Sequence, residues 1–282
     1  MITELARGHK GKVLDKWLSY LETYDSIFAP YQDRQVNILE IGIANGGSLD
    51  LWADYFPNAV HIVGCDINPE CKSLTYDDKR ISVVIGDANS SEALEQISSI
   101  ANKFDIIIDD GSHINSEVIQ SFSLYFPMLN YDGLYIAEDL HTSYWDGWGG
   151  GLHTPLSSMS FFKRLADMPN FEHWRISRTR KDYLRYYEQG FVIQFSEENL
   201  ATIHSVSFSN SMAIIKAKRQ ERNKLGHRVV RGEDEHILSQ CLMFDGTGVN
   251  LVPAEAVDDW KYDPFAMIQR INQLGASNDN AV

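Results

Sequence analysis

The chain has 282 residues, 44% of them hydrophobic, enough to bury one substantial core as a single enlarged α/β domain. Its formal charge of −14 argues against a surface that tracks phosphates, because nonspecific DNA or RNA binding depends on clustered lysine and arginine, so no nucleic-acid partner is expected. Cys65, Cys71 and Cys241 form no Cys-x-x-Cys pair, the opening MITELARGHKGK lacks an apolar signal core, and no uncharged apolar run is long enough to span a bilayer; these features predict a soluble, cytoplasmic protein with reduced thiols and no membrane span.

From Val13 to Phe28, apolar residues recur at Leu14, Trp17, Leu18, Leu21 and Phe28, a spacing that gathers them on one helical face and predicts a helix stopped by Pro30. Short apolar runs follow: VNILEIG (36–42), HIVGCDI (61–67), ISVVIGD (81–87), FDIIIDD (104–110) and GLYIAED (133–139). Near-continuous β-branched runs are what parallel strands covered on both faces require. Between them, Ser48 to Tyr55, Ser91 to Asn102 and Asn115 to Leu129 read as helices, and this alternation predicts a doubly wound α/β fold. Residues 141–160, rich in glycine and aromatics, read as a long loop, followed by a helical segment near Ser160 to Asp167. The runs at 201–208 and 211–217 read as a hairpin turning at Ser209 and Asn210; beyond Lys216 the sequence suggests a peripheral helix from Glu235 to Met243 and a loose terminus.

Chemistry-bearing residues concentrate at the carboxyl ends of the predicted strands. Glu40 and Gly42 close the first, and Gly46, Gly47 and Ser48 open the next helix, where glycine lets a ligand approach backbone N–H groups. The G-x-G-x-x-G dinucleotide fingerprint is absent. Asp66 ends the second strand, placed to accept ribose hydroxyls, and Asp87 ends the third, placed toward an adenine. Each alone reads equally as a helix cap, but their recurrence at successive strand ends favours a nucleoside-bearing cofactor. Just past the fourth strand stand Asp109, Asp110 and His113, and just past the fifth Glu138 and Asp139. If these two strands are neighbours, Asp110, Glu138 and Asp139 converge within reach of one ion, and a divalent cation relieves their repulsion; all-oxygen ligands indicate Mg²⁺ or Mn²⁺. His113, able to titrate near neutrality beside that cluster, is the natural acceptor for a hydroxyl proton.

Together ILEIGIANGGSL, VGCDI, GDAN, IIDDGSHI and EDLHTSYW resemble the metal-dependent sugar O-methyltransferases of macrolide biosynthesis, of the mycinamicin and macrocin type, and their cephalosporin hydroxylase-like relatives. The resemblance spans roughly Leu21 to Gly150 and is most specific in its second half. It implies a Rossmann-like class I methyltransferase: a mostly parallel seven-stranded sheet with helices on both faces and an antiparallel carboxyl-terminal hairpin. It implies S-adenosylmethionine bound by Glu40, Gly42, Gly47 and Ser48 at the methionine part, Asp66 and Ile67 at the ribose, Asp87 and Ala88 at the adenine edge, and contact with Asp109. Asp110, Glu138 and Asp139 would hold Mg²⁺, His113 would be the general base, and Tyr144, Trp145 and Trp148 would wall or lid a carbohydrate or other small-molecule acceptor. The chain then divides into an amino-terminal helical segment or lid (1–34), a methyltransferase domain (35–217, with acceptor loop and insertion at 141–200) and a peripheral segment (218–282). Homo-oligomers are suggested by the resemblance alone. Two other readings stay open: a cephalosporin hydroxylase-like small-molecule enzyme on the same fold, and a noncatalytic S-adenosylmethionine-binding protein.

Overall fold

The computed structural model describes residues 1–174 and 176–249. The expected runs form strands β1 (Asn37–Ile41), β2 (His61–Asp66), β3 (Ile81–Ile85), β4 (Phe104–Asp109) and β5 (Leu129–Ala137), followed by β6 (Ile203–Ser209) and β7 (Met212–Ala217). They make one seven-stranded sheet in the order β3-β2-β1-β4-β5-β7-β6. The first five are parallel, while β7 runs antiparallel to both β5 and β6. The anticipated hairpin therefore closes one edge of the sheet, with β7 inserted between β5 and β6.

Both faces of the parallel strands are covered, which explains their unbroken apolar character. One face packs Leu39, Val63, Ile107 and Tyr135 against helices α4 (Ser91–Ile100), α5 (Asn115–Tyr125) and α6 (Ser158–Leu165). The other packs Ile38, Ile62, Ile106 and Ile136 against α2 (Leu18–Phe28) and α3 (Gly47–Tyr55). Aromatic rings lock these layers: Tyr24 and Phe28 of α2 meet Trp52 of α3 edge-on at 5.5 and 5.8 Å, and Phe122 of α5 meets Phe161 of α6 at 5.3 Å. Such pairs each add about 0.5–1.5 kcal/mol beyond the area they bury.

Strand order reverses between β1 and β4, so the connections leaving their carboxyl ends turn to opposite faces of the sheet and open the crevice in which open α/β sheets hold ligands. Gly42, φ +82°, turns the chain off β1 there. A β-carbon at Gly42 would lie 2.0 Å from the Asp110 carbonyl oxygen, so the close passage of the two strand ends requires glycine.

Three expectations are corrected. The amino-terminal helix begins at Leu18, not Val13, after a short α1 (Ile2–Gly8) and an extended strap over residues 9–17. Tertiary contacts override the apolar spacing in that strap: the Val13 carbonyl accepts the Gly47 N–H at 3.2 Å, which a helical Val13 would instead point along its own axis. No helix forms over Glu235–Met243, an exposed stretch of turns with only a 3-10 turn at Leu242–Phe244; its apolar residues Ile237 and Leu238 find no surface to bury. The unpatterned region before the hairpin holds α7 (Arg180–Phe191), started by a Thr179–Asp182 capping box, and the short α8 (Glu197–Leu200). The loose terminus anticipated at the end lies outside the described residues. Among the described residues no helix is long and apolar enough to cross a membrane.

Candidate active site

A cavity of about 470 Å³ lies along the carboxyl ends of β1 to β5. At one end it is lined by Gly42, Ala44, Asp66, Ile67, Asp87 and Ala88, and at the other by Asp109, Asp110, His113, Glu138 and Asp139. At the first end the Asp66 carboxylate is held in place by its own loop. Its Oδ2 accepts the N–H groups of Ile43 and Ala44, both at 2.9 Å, and its Oδ1 that of Asn68 at 2.8 Å. Ile67 beside it is 70% exposed, an apolar face turned to the cavity rim. Asp87 Oδ1 accepts the Asn89 N–H at 2.9 Å. This end combines fixed carboxylates, an apolar flank and a glycine turn, which suits a nucleoside with a short charged tail.

Glu40, Gly47 and Ser48 lie elsewhere. All are buried, and none lines the cavity. A β-carbon at Gly47 would meet the Lys12 carbonyl at 2.4 Å, so glycine at this position admits the amino-terminal strap. Glu40 accepts the Trp52 indole N–H at 2.9 Å and faces Lys16.

The second end is built on β4 and β5, which are adjacent, with Asp109 paired to Ala137. Asp110, Glu138 and Asp139 follow immediately on the two strands. Asp110, His113 and Asp139 bring one ligand atom each within 4.8 Å of one another, as a bound metal ion requires. His113 Nε2 stands 3.9 Å from Asp110 Oδ1 and 3.6 Å from Asp139 Oδ2. Each carboxylate offers that oxygen because the other is tied down. Lys16 Nζ donates to Asp110 Oδ2 at 2.6 Å, and the Trp17 indole and Tyr20 hydroxyl donate to Asp139 Oδ1 at 3.0 and 2.8 Å. Glu138, 2% exposed, accepts from Lys16 at 3.0 Å and from the Tyr24 hydroxyl, both on Oε1. Outer partners of this kind orient metal ligands and fix which atom faces the ion.

His113 and Asp139 both adopt left-handed backbone, φ 58° and 54°, a conformation costing non-glycine residues about 1–2 kcal/mol. Their neighbours hold it: Thr142 Oγ1 donates to the His113 carbonyl at 2.9 Å, and the Asp139 N–H donates to Tyr20 at 3.1 Å. Strain sustained at two facing residues belongs to a site that needs those side chains aimed.

Charge is as constrained as geometry. Burial works against the Lys16 ammonium, but Asp110, Glu138 and Glu40 outweigh it and raise the lysine's pKa well above its usual value. Burial raises the Asp110 and Glu138 carboxyls above the ordinary range, and Lys16 pulls both back. Asp109, buried behind them, is pushed up to about 6 by desolvation, while Ser121 and Tyr135 counter part of that shift.

Tyr144 and Trp148 lie on two 3-10 turns, Leu140–Tyr144 and Asp146–Trp148, with Trp145 between them, and none of the three lines the cavity. Tyr144 and Trp145 are 43% and 50% exposed, and the Trp148 ring lies 6.2 Å from that of His113. His141 stands between Trp145 and Trp17, with ring centroids 4.8 and 6.5 Å away. The buried Asn115 side chain anchors this loop, donating to the Trp148 carbonyl at 2.8 Å and accepting the Ser158 N–H at 2.7 Å.

The residues that sequence reading missed are Lys16, Trp17, Tyr20 and Tyr24. The available signal covered only the two tyrosines, four residues apart and so in one row along α2; Lys16 and Trp17 lie on the extended strap before it, where helical spacing says nothing.

Residues 16–134 match the family model of the FtsJ-like methyltransferases. Among curated proteins, the chain is 38% identical over 163 residues to the 8-demethyl-8-alpha-L-rhamnosyl tetracenomycin-C 2'-O-methyltransferase of Streptomyces olivaceus, covering 54% of this chain and 42% of that protein. It is 42% identical over 134 residues to the mycinamicin VI 2''-O-methyltransferase of Micromonospora griseorubida, covering 45% and 33%. It is 38% identical over 165 residues to the demethylmacrocin O-methyltransferase of Streptomyces fradiae, covering 54% and 41%. The chain thus spans less than half the length of these relatives. Among solved structures it is similar to MycE methyltransferase from the mycinamycin biosynthetic pathway in complex with Mg, SAH and mycinamycin VI, with 29% identity, a TM-score of 0.62, and coverage of 78% of this chain and 55% of that one. The same enzyme with Mg and SAH gives 28%, 0.65, 82% and 58%. The chain therefore has a class I methyltransferase fold, its residues 16–134 are similar to the FtsJ-like methyltransferases, and the relatives it matches are sugar O-methyltransferases of the tetracenomycin, mycinamicin and macrocin pathways.

Proposed function

We propose that this protein transfers a methyl group from S-adenosylmethionine to a hydroxyl of a sugar or glycosylated small molecule, with the help of Mg²⁺ or Mn²⁺. The observation carrying this reading is the inward turn of Asp110 Oδ1 and Asp139 Oδ2 toward His113 Nε2, at the end of a cavity whose other end suits a nucleoside. The donor set fits the ion: the inward oxygens of Asp110 and Asp139 converge within 4.8 Å, Glu138 lines the same cavity, and His113 stands beside them with its Nε2 left for a proton. The cavity fits the cofactor, with Asp66, Ile67, Asp87 and Ala88 along the nucleoside and Gly42 at the methionine end.

When bound, S-adenosylmethionine supplies an electrophilic methyl and the divalent ion supplies positive charge beside the acceptor oxygen. The protein's own residues do the rest. Asp110 and Asp139, with Glu138 beside them, would hold the ion. His113 would accept the hydroxyl proton at Nε2 as the methyl group passes from the sulfonium to the oxygen. A sugar hydroxyl loses its proton too reluctantly to react unaided at neutral pH, so base and charge act on the same atom. Exposed Tyr144 and Trp145, with Trp148 over His113, give a sugar ring aromatic faces to stack on. The names of the relatives, a rhamnosyl tetracenomycin-C methyltransferase among them, support a sugar acceptor.

The test is methyl transfer from labelled S-adenosylmethionine to a panel of rhamnosylated and macrolide acceptors, after chelation and again after adding Mg²⁺. Transfer restored by the ion supports the reading. Full transfer by the chelated protein refutes the metal role, and S-adenosylmethionine binding without transfer to any hydroxyl acceptor refutes the enzymatic one.

A further inference from the structure

We propose that Lys16 is a built-in cation that limits the acid cluster to one divalent ion and acts as a positioning residue for Asp110. This rests on the metal-dependent reading above. Its Nζ lies 3.0 Å from Glu40 Oε1, 2.6 Å from Asp110 Oδ2 and 3.0 Å from Glu138 Oε1, and its side chain is only 2% exposed. Those carboxylates come from the ends of three neighbouring strands, β1, β4 and β5. The ammonium is thus the common counter-charge of three acids that the neighbouring strand ends crowd together.

Asp110 shows the consequence most directly. Its Oδ2 is held by Lys16, while its Oδ1 faces His113 and, beyond it, Asp139. A carboxylate with one oxygen on each of two cations is the bridge of a two-metal centre, where the ions stand about 3.5–4 Å apart. Here an ammonium takes the place of the second ion. Glu40 Oε1, fully buried, receives no hydrogen bond and depends on the nearby lysine for its compensation. Glu40, Asp110, Glu138 and Asp139 can bring four negative charges; one lysine and one divalent ion supply three positive ones, so the set stays one short with the lysine and falls two short without it. Without the lysine, a second divalent ion balances the set. Lysine fits this role because its three donors reach three acids, and it rides on the strap that also supplies Trp17 and Tyr20 to Asp139.

The experiment counts bound Mn²⁺ by electron paramagnetic resonance in the wild-type protein, in Lys16→Met, and in Lys16→Ala with and without propylammonium, which restores the missing stem and charge. The expected counts are one ion for the wild type, two for Lys16→Met, and two for Lys16→Ala falling to one with propylammonium. If Lys16→Met does not fold, the Lys16→Ala pair carries the test, because the amine is expected to restore the fold together with the one-ion count. A folded variant holding one ion or none overturns the role of Lys16 while leaving the metal site standing. A wild-type protein holding two ions also overturns it, and one holding none overturns the metal-dependent reading on which it rests.

Discussion

Gly42→Ala tests the link between the strand crossing and the site. A β-carbon at this position would meet the Asp110 carbonyl oxygen at 2.0 Å, its carbon at 2.6 Å and the Gly111 Cα at 2.9 Å. All three are backbone atoms, so no side chain can swing aside, and the end of β4 must retreat by roughly 1 Å to reach ordinary contact. Holding alanine at φ +82° adds about 1–2 kcal/mol, and the overlap about 1–3 kcal/mol. The sum, about 2–5 kcal/mol, lowers the melting temperature by roughly 5–15 °C for a chain of this size. Because the displaced atoms belong to Asp110, turnover falls by about 10²-fold, and Mn²⁺ affinity by about 10- to 100-fold. The assays are calorimetric melting, Mn²⁺ titration and methyl transfer. Gly8→Ala, where a β-carbon meets nothing within 4 Å, is the control and leaves all three unchanged. A Gly42→Ala protein with wild-type metal affinity and turnover refutes the claim that this crossing positions Asp110.

Three further outcomes are expected. His113→Gln lowers kcat by about 10²- to 10⁴-fold and flattens its pH profile while S-adenosylmethionine affinity holds; an unaltered pH profile removes the base from His113. Asn115→Ala strands the Ser158 N–H and the Trp148 carbonyl, at a cost of about 1–3 kcal/mol for each buried unsatisfied group; KM for the acceptor rises while cofactor affinity stays, and an unchanged acceptor KM shows that the loop does not touch the acceptor. Burial pushes the Cys65 thiol up to about 12 and also raises Cys71. A thiol with a raised pKa gains its thiolate only near that pH, so at pH 8 Cys65 is about one part in 10⁴ thiolate. Alkylation of the native protein at pH 8 therefore labels the half-buried Cys241 first, and Cys65 and Cys71 only on unfolding. Early labelling of Cys65 contradicts its burial.

The sheet was legible because buried parallel strands leave little choice of residue: HIVGCDI and FDIIIDD are strands by composition alone, and β2 and β4 fall inside them. Asp110 and Asp139 were legible for a related reason, since carboxylates that crown successive apolar strands must end on the ligand side of such a sheet. The cage around them was not. Lys16 lies 94 residues from Asp110 in the chain and Tyr24 lies 114 from Glu138, and a lysine within HKGKVLDKW reads as solvated until the fold buries it. The sequence did carry an unread hint, because four acids at three strand ends exceed the charge of one divalent ion. Gly47 misled in the opposite direction: glycine in a strand-to-helix turn suggests an approaching ligand, and what approaches here is the protein's own strap.

On this reading the tips of β4 and β5 hold one divalent cation beside the donor methyl group. Paramagnetic relaxation of the methyl protons of S-adenosylmethionine by Mn²⁺ measures this directly. The account predicts strong relaxation with the wild-type protein that disappears in Asp110→Asn/Asp139→Asn, although the cofactor still binds. Relaxation no greater than that from free Mn²⁺, or equally strong in the double variant, would contradict it.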